Sequence, residues 1–229
     1  SSGNSIQVCM AQNTGNKAAD SANFKKNCAS AAAVTRLKSG AKLTSKASGA
    51  SLAGTKWFET KDIIDPNTKQ IMETVNATFD FTNYPFPVLG YTISFPNMPA
   101  SSAANMNITF DFNVTGNPSS VAPGAQEVLL TPKSVSQYCP TITTEPCTVS
   151  FDDDIASDVT CNQKNSNGLI TPVVYDSSRG GYNYPPGTTL FCSININETF
   201  TGAFTYDPTK KIAVFWLDGQ SGLLAPLSL

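Results

Sequence analysis

The sequence predicts a mainly β protein, an antiparallel β-sandwich of immunoglobulin-like or jelly-roll-like type with an N-terminal helical or extended arm. Short segments alternate apolar and polar residues with the period of a β-strand, and turn-forming residues separate them. Only 14% of the 229 residues are charged, whereas Gly and Pro number 15 each. This composition is typical of many short strands joined by turns. A chain of this length buries a real core, as one large β domain or two small ones.

Residues 1–56 are predicted to form the arm, because they are rich in Ala, Ser, Gly and Lys and poor in aromatic residues. Residues 20–40 favour a short helix, which Asp20 or Ser21 could cap at its start and Gly40 could end. The alternative for this region is an extended segment that pairs with the edge of a sheet.

Charge is divided unevenly along the chain. Residues 1–70 contain ten Lys/Arg and four Asp/Glu, whereas residues 71–229 contain five and thirteen, so that +6 and −8 give the net charge of −2. A basic N-terminal part and an acidic body attract each other, within one molecule or between copies. The basic residues of the arm lack interleaved aromatic residues, so we expect no nucleic-acid partner. These residues are Lys25, Lys26, Arg36, Lys38, Lys42 and Lys46.

Residues 57–229 are predicted to form the β-sandwich body, with an apolar C-terminal tail. A division of this body into two small β subdomains is the alternative. Hairpins around Asp-Pro turns are expected within residues 57–81 and 200–217. The related segments NATFDF (76–81) and NITFDF (107–112) alternate at strand period. Their Phe residues are expected to face the core, and their Asn, Thr and Asp residues to face solvent.

The outward Asn residues stand in Asn-x-Thr sequences, the acceptor signal for N-linked glycans in secreted proteins. Composition alone predicts roughly four chance matches in this chain. The placement on a solvent face, rather than the number, therefore supports glycosylation of the outward sites. Calcium binding is the alternative, but flat strand faces rarely gather the roughly six oxygens that the ion requires. The four sites are Asn76, Asn107, Asn113 and Asn197.

Six cysteines, with no Cys-x-x-Cys pair and no His, predict disulfide bonds rather than a metal site. The cysteines are Cys9, Cys28, Cys139, Cys147, Cys161 and Cys192. Fifteen pairings are possible, and proximity in sequence favours pairing each cysteine with its neighbour in that order. Disulfides indicate a secreted, extracellular or cell-surface protein. Free buried thiols in a reducing compartment are the alternative.

No apolar run approaches the roughly eighteen residues of a membrane span, so none is predicted. A chain that begins at Ser1 without Met is expected to be a mature form whose signal peptide has been removed. Without His, the usual Ser or Cys catalytic triad is absent. We therefore expect no enzymatic activity and no cofactor.

Two groups of residues are candidates for ligand binding. The segment FDDDIASD (151–158) is expected to be a solvated acidic turn, with a calcium site or catalytic carboxylates as alternatives. Tyr182 and Tyr184 could form an aromatic platform for sugar rings, since Tyr offers an apolar face and a hydroxyl. Local packing is the alternative for both tyrosines. The carboxylates of the segment are Asp152, Asp153, Asp154 and Asp158.

The two termini suggest the function. The tail DGQSGLLAPLSL (218–229) has four leucines that a solvent-exposed tail does not normally carry. Adding an arm as an extra strand on another copy would cover the sheet edges of a strand-rich body. Such a head-to-tail contact builds an open filament unless it closes into a ring. The leading hypothesis is a secreted, glycosylated structural subunit that self-assembles through its termini into an extracellular or cell-surface filament.

Other functions are kept as alternatives. A carbohydrate-binding module or adhesin domain at the cell surface comes second, and a secreted hydrolase third. The leading hypothesis predicts that residues 1–56 contact another copy, so packing of that segment onto its own body would argue against it.

Overall fold

The computed structural model describes residues 5–30, 32, 52–97, 104–120, 122, 124–151, 153–196 and 199–218. The first elements are β1 (Ser5–Gln12), α1 (Lys17–Phe24) with a following π-helical turn (Lys25–Ala29), β2 (Lys56–Ile64), β3 (Ile71–Asp80), β4 (Val88–Ser94), β5 (Ala104–Pro118) and β6 (Gln126–Tyr138). The remaining elements are β7 (Cys147–Val149), α2 (Asp153–Ala156), β8 (Val159–Lys164), β9 (Ile170–Val173), β10 (Tyr175–Asp176), β11 (Gly181–Tyr184), β12 (Thr189–Ile194), β13 (Phe200–Asp207) and β14 (Ile212–Asp218).

The mainly β, antiparallel class is confirmed, but the predicted sandwich is wrong. Eight strands follow one another in the order β13-β14-β1-β2-β3-β4-β5-β6, and β6 pairs back with β13 to close a barrel. Closure runs from the pair Phe200 and Leu130 to the pair Phe204 and Gln126. Strands of barrels and sandwiches alternate inward and outward in the same way, so the residue pattern does not distinguish them.

The barrel interior is filled by aromatic and aliphatic side chains. The rings of Phe79 and Phe215 stack with centroids 4.8 Å apart, and the ring of Trp57 meets that of Tyr206 edge-on at 4.9 Å. Phe81 stacks on Phe79 at 5.0 Å. The inward direction predicted for the Phe residues of both related segments is thus confirmed. An eight-stranded barrel is just wide enough for such side chains to fill it.

The N-terminal strand belongs to the barrel, which corrects the predicted arm for residues 5–30. β1 pairs along its length with β14, from Ser5 opposite Asp218 to Ala11 opposite Ile212. Its other edge meets β2 through Ala11 and Gln12. The inward side chains Val8 and Met10 are fully buried. Most of residues 33–56, including the predicted helix end at Gly40, lie outside the described residues.

Helix α1 covers the outer face of β1 and β14. Phe24 and Cys28 pack there against Val214 and the neighbouring strand residues, and Cys28 is disulfide-bonded to Cys9. The helix begins earlier than predicted, because Asn16 caps it by accepting a hydrogen bond from the backbone of Ala19 at 3.2 Å. The predicted cap, Asp20, instead lies inside the helix.

Strand β6 divides between two partners and joins the barrel to a second body. Its first half pairs with β13, and its second half, Ser134–Tyr138, pairs with β12. Pro132 lies between the halves, next to a register shift opposite β5. Proline lacks the N–H of a ladder hydrogen bond and is found at such irregular positions.

The second body, here called the lobe (residues 139–196), has two layers. Strands β12, β8 and β9 extend the barrel sheet from β6, and β10, β11 and β7 form a separate three-stranded sheet. The hydroxyl of Tyr184 on β11 donates to Gln137 Oε1 on β6 at 2.8 Å, which joins the layers. Two disulfides, Cys139–Cys147 and Cys161–Cys192, stabilise the lobe. All three disulfides thus follow the pairing predicted by proximity.

Candidate functional site

Three predicted glycosylation sites are exposed on the outer wall of the barrel. Asn76 lies on β3, and Asn107 and Asn113 lie on β5. Asn76 accepts a hydrogen bond from the hydroxyl of Thr60 at its carbonyl oxygen, at 3.0 Å. This contact leaves the amide nitrogen, the atom that carries an N-linked sugar, outside that hydrogen bond. Asn197 lies outside the described residues.

The side chain of Asn107 lies across the neighbouring strand β4 above Gly90. A Cβ atom placed on Gly90 would stand 2.5 Å from Asn107 Oδ1 and 3.4 Å from Thr78 Oγ1. No ordinary contact is as short as the first distance, so a side chain at residue 90 would displace the Asn107 amide. The Asn107 amide can therefore occupy this position because Gly90 has no side chain.

The acidic segment is not assembled into a site by the described residues. Asp153 and Asp154 lie in the short helix α2, and Asp152 lies outside the described residues. Asp158 is exposed, and its backbone bonds Ile155 and Asn195. Among the described residues, no group of three or more acidic or cysteine side chains is placed to hold a metal ion.

Tyr182 and Tyr184 are buried, so they form no exposed platform for sugar rings. Tyr184 is 1% exposed, and both residues lie on β11 with their rings facing the lobe core. The hydroxyl of Tyr182 approaches the carbonyl of Val159 on the opposite layer at 3.4 Å. Burial raises the pKa of Tyr184 above its usual range. Residues two apart on one strand share a face, so YNY already had the pattern of an inward strand.

An exposed apolar surface lies on the outer face of the lobe sheet. Register places Ile170, Lys164, Thr189 and Tyr138 in one row across β9, β8, β12 and β6. Phe191, two residues beyond Thr189, shares that face. Ile170 is 61% exposed, Phe191 45% and Tyr138 36%. We name Tyr138, Ile170 and Phe191 the apolar lobe face.

The edge of the lobe sheet is less suited to strand pairing than its face. The edge strand β9 has four residues and contains Pro172. Short length and proline are features by which natural sheets protect their edges from pairing with other chains. A partner would therefore contact the side chains of the apolar lobe face rather than extend the ladder.

Sequence reasoning missed the apolar lobe face, although a signal was present. In TLFCSI, the inward residues Leu190, Cys192 and Ile194 alternate with Thr189, Phe191 and Ser193. Phe191 therefore occupies an outward position, on the same face of the strand as the polar residues Thr189 and Ser193. An aromatic residue at an outward position marks a surface that a partner can cover.

One oxygen of a buried carboxylate makes no hydrogen bond. Glu59 lies on the inward face of β2, is 3% exposed, and its Oε1 atom makes no hydrogen bond. Burial raises the pKa of Glu59 from an ordinary value of 4.5 to about 7, and the charge of Lys61 opposes this rise. An unpaired carboxyl in a barrel core is costly to ionise.

Comparison with known proteins identifies no relative. No family model, no curated protein and no solved structure matches the chain. The three disulfides are consistent with a secreted or extracellular protein. No helix in the described part of the chain is long and apolar enough to cross a membrane. The function is therefore inferred from the geometry of the chain itself.

Proposed function

We propose that this protein is a secreted, glycosylated structural subunit that self-assembles through its termini into an extracellular or cell-surface filament. The apolar lobe face is the observation that carries the proposal. It presents two aromatic side chains and one aliphatic side chain on three different strands of a rigid, disulfide-bonded sheet. Covering the exposed part of each side chain in a contact would contribute about 1 kcal/mol, since each is only partly exposed. The proposal assigns the chain no catalytic activity.

The occupant that we propose for the apolar lobe face is the C-terminal segment of a second copy. Strand β14 ends at Asp218, and the next residues include the four leucines Leu223, Leu224, Leu227 and Leu229. An extended segment over residues 219–229 reaches at most about 36 Å, at roughly 3.3 Å per residue. We propose that this segment spans to the lobe of a neighbouring copy.

The contact joins two different surfaces, so it is head-to-tail and propagates into a filament unless it closes into a ring. The N-terminal strand is not available for this role, because β1 is built into its own barrel between β14 and β2. The expected contact of residues 1–56 with another copy therefore does not extend to residues 5–30. The proposal consequently rests on the C-terminal segment.

Glycans would lie beside this contact rather than on it. Register places Phe191, Ser136 and Asn107 in one row across β12, β6 and β5. Neighbouring strands are about 4.8 Å apart, so Asn107 lies roughly 10 Å from Phe191. A sugar on Asn107 would border the apolar lobe face and shield the barrel wall from side-by-side association.

The test is assembly of the native protein, measured by light scattering and electron microscopy. Removing residues 221–229, or combining Ile170→Ser with Phe191→Ser, is expected to abolish filaments while the subunit stays folded. The matched control is Leu169→Ser, because Leu169 is 60% exposed but lies in the β8–β9 turn. A wild-type protein that remains a monomer at high concentration contradicts the proposal.

A second candidate function is carbohydrate binding by a cell-surface module or adhesin. It is favoured by the exposed rings of Tyr138 and Phe191, which lie on neighbouring strands of a flat sheet face. Such rings can stack on sugars. Binding to a glycan array that is lost in Phe191→Ala, in a protein that stays monomeric, would support this candidate over self-assembly.

A further inference from the structure

We infer that five exposed lysines at the end of the barrel remote from the lobe form a docking surface for the acidic lobe of a second copy. This inference rests on the proposed self-assembly and names the surfaces that would guide it. The lysine surface comprises Lys17, Lys25, Lys26, Lys210 and Lys211, all of which are exposed.

The lysine surface is held together by hydrogen bonds between two segments far apart in sequence. The side chain of Asn23 donates to the backbone carbonyls of Lys210 at 3.0 Å and Lys211 at 3.3 Å. Asn27 donates to Asn23 Oδ1 at 2.8 Å, which orients that side chain. The disulfide of Cys28 ties the same helix to β1. The lysine backbones therefore keep fixed relative positions before any partner arrives.

These lysines lack counter-charges on the surface. None takes part in an ion pair with the described acidic residues. The nearby carboxylates are buried and engaged locally: Asp20 accepts from the backbone of Thr14 at 2.8 Å, and Asp207 accepts from the backbones of Thr209 and Lys210, each at 3.0 Å. Five positive and two negative charges leave +3 on this end of the barrel.

The lobe supplies the opposite charge. Residues 139–196 contain six Asp/Glu and two Lys/Arg, which gives −4. Asp158 is exposed, and the side chain of Glu145 is 78% exposed despite its contact with Arg179 at 3.5 Å. Hydrogen bonds from Ser178 lower the pKa of Asp176, which keeps that carboxylate charged.

The two surfaces cannot meet within one molecule. The lobe sheet pairs with β6 from Ser134 onward. This part of β6 extends past the end of β13 at which Phe200 lies. The lysine surface lies at the other end of β13, beyond Asp207, which is about 23 Å away at roughly 3.3 Å per residue. The attraction between them therefore acts between copies. It joins two different surfaces and so is itself head-to-tail, but it involves the end of the barrel opposite to Asp218, where the C-terminal segment begins.

The experiment compares the critical concentration for assembly in full-length variants at low salt and at about 0.5 M NaCl, where charges are screened. Lys26→Glu with Lys210→Glu is expected to raise it at least tenfold at low salt. The control of equal charge change is Lys69→Glu compared with Lys26→Glu alone, because Lys69 is exposed in the β2–β3 turn, away from the surface, and this variant should assemble as wild type. Adding Glu145→Lys and Asp158→Lys to the first variant should restore assembly.

Each outcome decides the inference. If neither salt nor the combination of Lys26→Glu with Lys210→Glu changes the critical concentration for assembly, the inference is wrong, whereas the proposed function is unaffected. A wild-type protein that stays monomeric at low salt overturns both. Unchanged assembly of the lysine variant, together with lost binding to dextran sulfate, would assign the lysine surface to a polyanionic polysaccharide instead.

Discussion

The free energy of unfolding is expected to fall by about 2–3 kcal/mol as the pH rises from 5 to 8, because of Glu59. The folded state holds the Glu59 proton with a pKa of about 7, against an ordinary value of 4.5. Between these values the folded protein binds more protons than the unfolded chain, so stability is present at low pH and is lost through pH 7. Proton binding to Glu59 multiplies the equilibrium constant in favour of the folded state by about 77 at pH 5 and by about 1.1 at pH 8. The ratio of these two factors gives the stated free-energy difference.

Urea unfolding at pH 5 and pH 8 measures this effect. Glu59→Gln is expected to remove that pH dependence and to be roughly 2–3 kcal/mol more stable than wild type at pH 8, because it removes a buried charge that lacks a hydrogen bond. Glu145→Gln is the control, since its side chain is 78% exposed, and it should retain the wild-type slope.

Other acidic groups do not obscure the window. Hydrogen bonds lower the pKa values of Asp65 and Asp176, so their contributions are lost only as the pH falls well below 5. A wild-type protein whose stability between pH 5 and 8 matches that of Glu59→Gln would refute the assignment of a buried, unpaired carboxyl in the barrel.

Three further predictions concern packing and cross-linking. Gly202→Ala should lower the free energy of unfolding by about 1–3 kcal/mol, because its new Cβ would stand 2.7 Å from the Trp216 carbonyl oxygen. Gly90→Ala should lower it less, because its new Cβ would be too close only to the side-chain oxygen of Asn107, which can move. Phe215→Ala should cost about 3–5 kcal/mol in urea unfolding, as Phe215 is fully buried; a loss below 1 kcal/mol would contradict the packed interior. Replacing Cys9 and Cys28 by Ser should lower stability by about 3 kcal/mol, because it opens a loop of 19 residues; an unchanged melting temperature would show that the bond is dispensable.

The alternation of apolar and polar residues predicted the strands, because adjacent residues of a strand point to opposite faces of the sheet. Phe79 and Phe81 face the core as their spacing requires. Barrel closure depends instead on the pairing of Phe200 with Leu130, a contact 70 residues apart that no local pattern reports. The sandwich was therefore predicted from features that a barrel shares.

The N-terminal strand was missed for a different physical reason. In SIQVCMAQ, Val8 and Met10 face the interior, while Cys9 and Ala11 are buried under α1. A strand covered on both faces loses the polar alternation that identifies it. The candidate site was predicted in part: Asn76 and Asn107 point outward as expected, whereas Phe191 was overlooked and the sugar platform considered for Tyr182 and Tyr184 is not formed.

The shared strand β6 has a mechanical consequence. Its ladder with β5 runs from Asn105 opposite Tyr138 to Pro118 opposite Gln126, and so passes from the lobe into the barrel without interruption by a loop. In a filament built from lobe to barrel, tension would load this ladder along the strand axes, so that many hydrogen bonds share the force at once. Extension would then be resisted by the two longest of the described strands, and the joints between subunits would yield first.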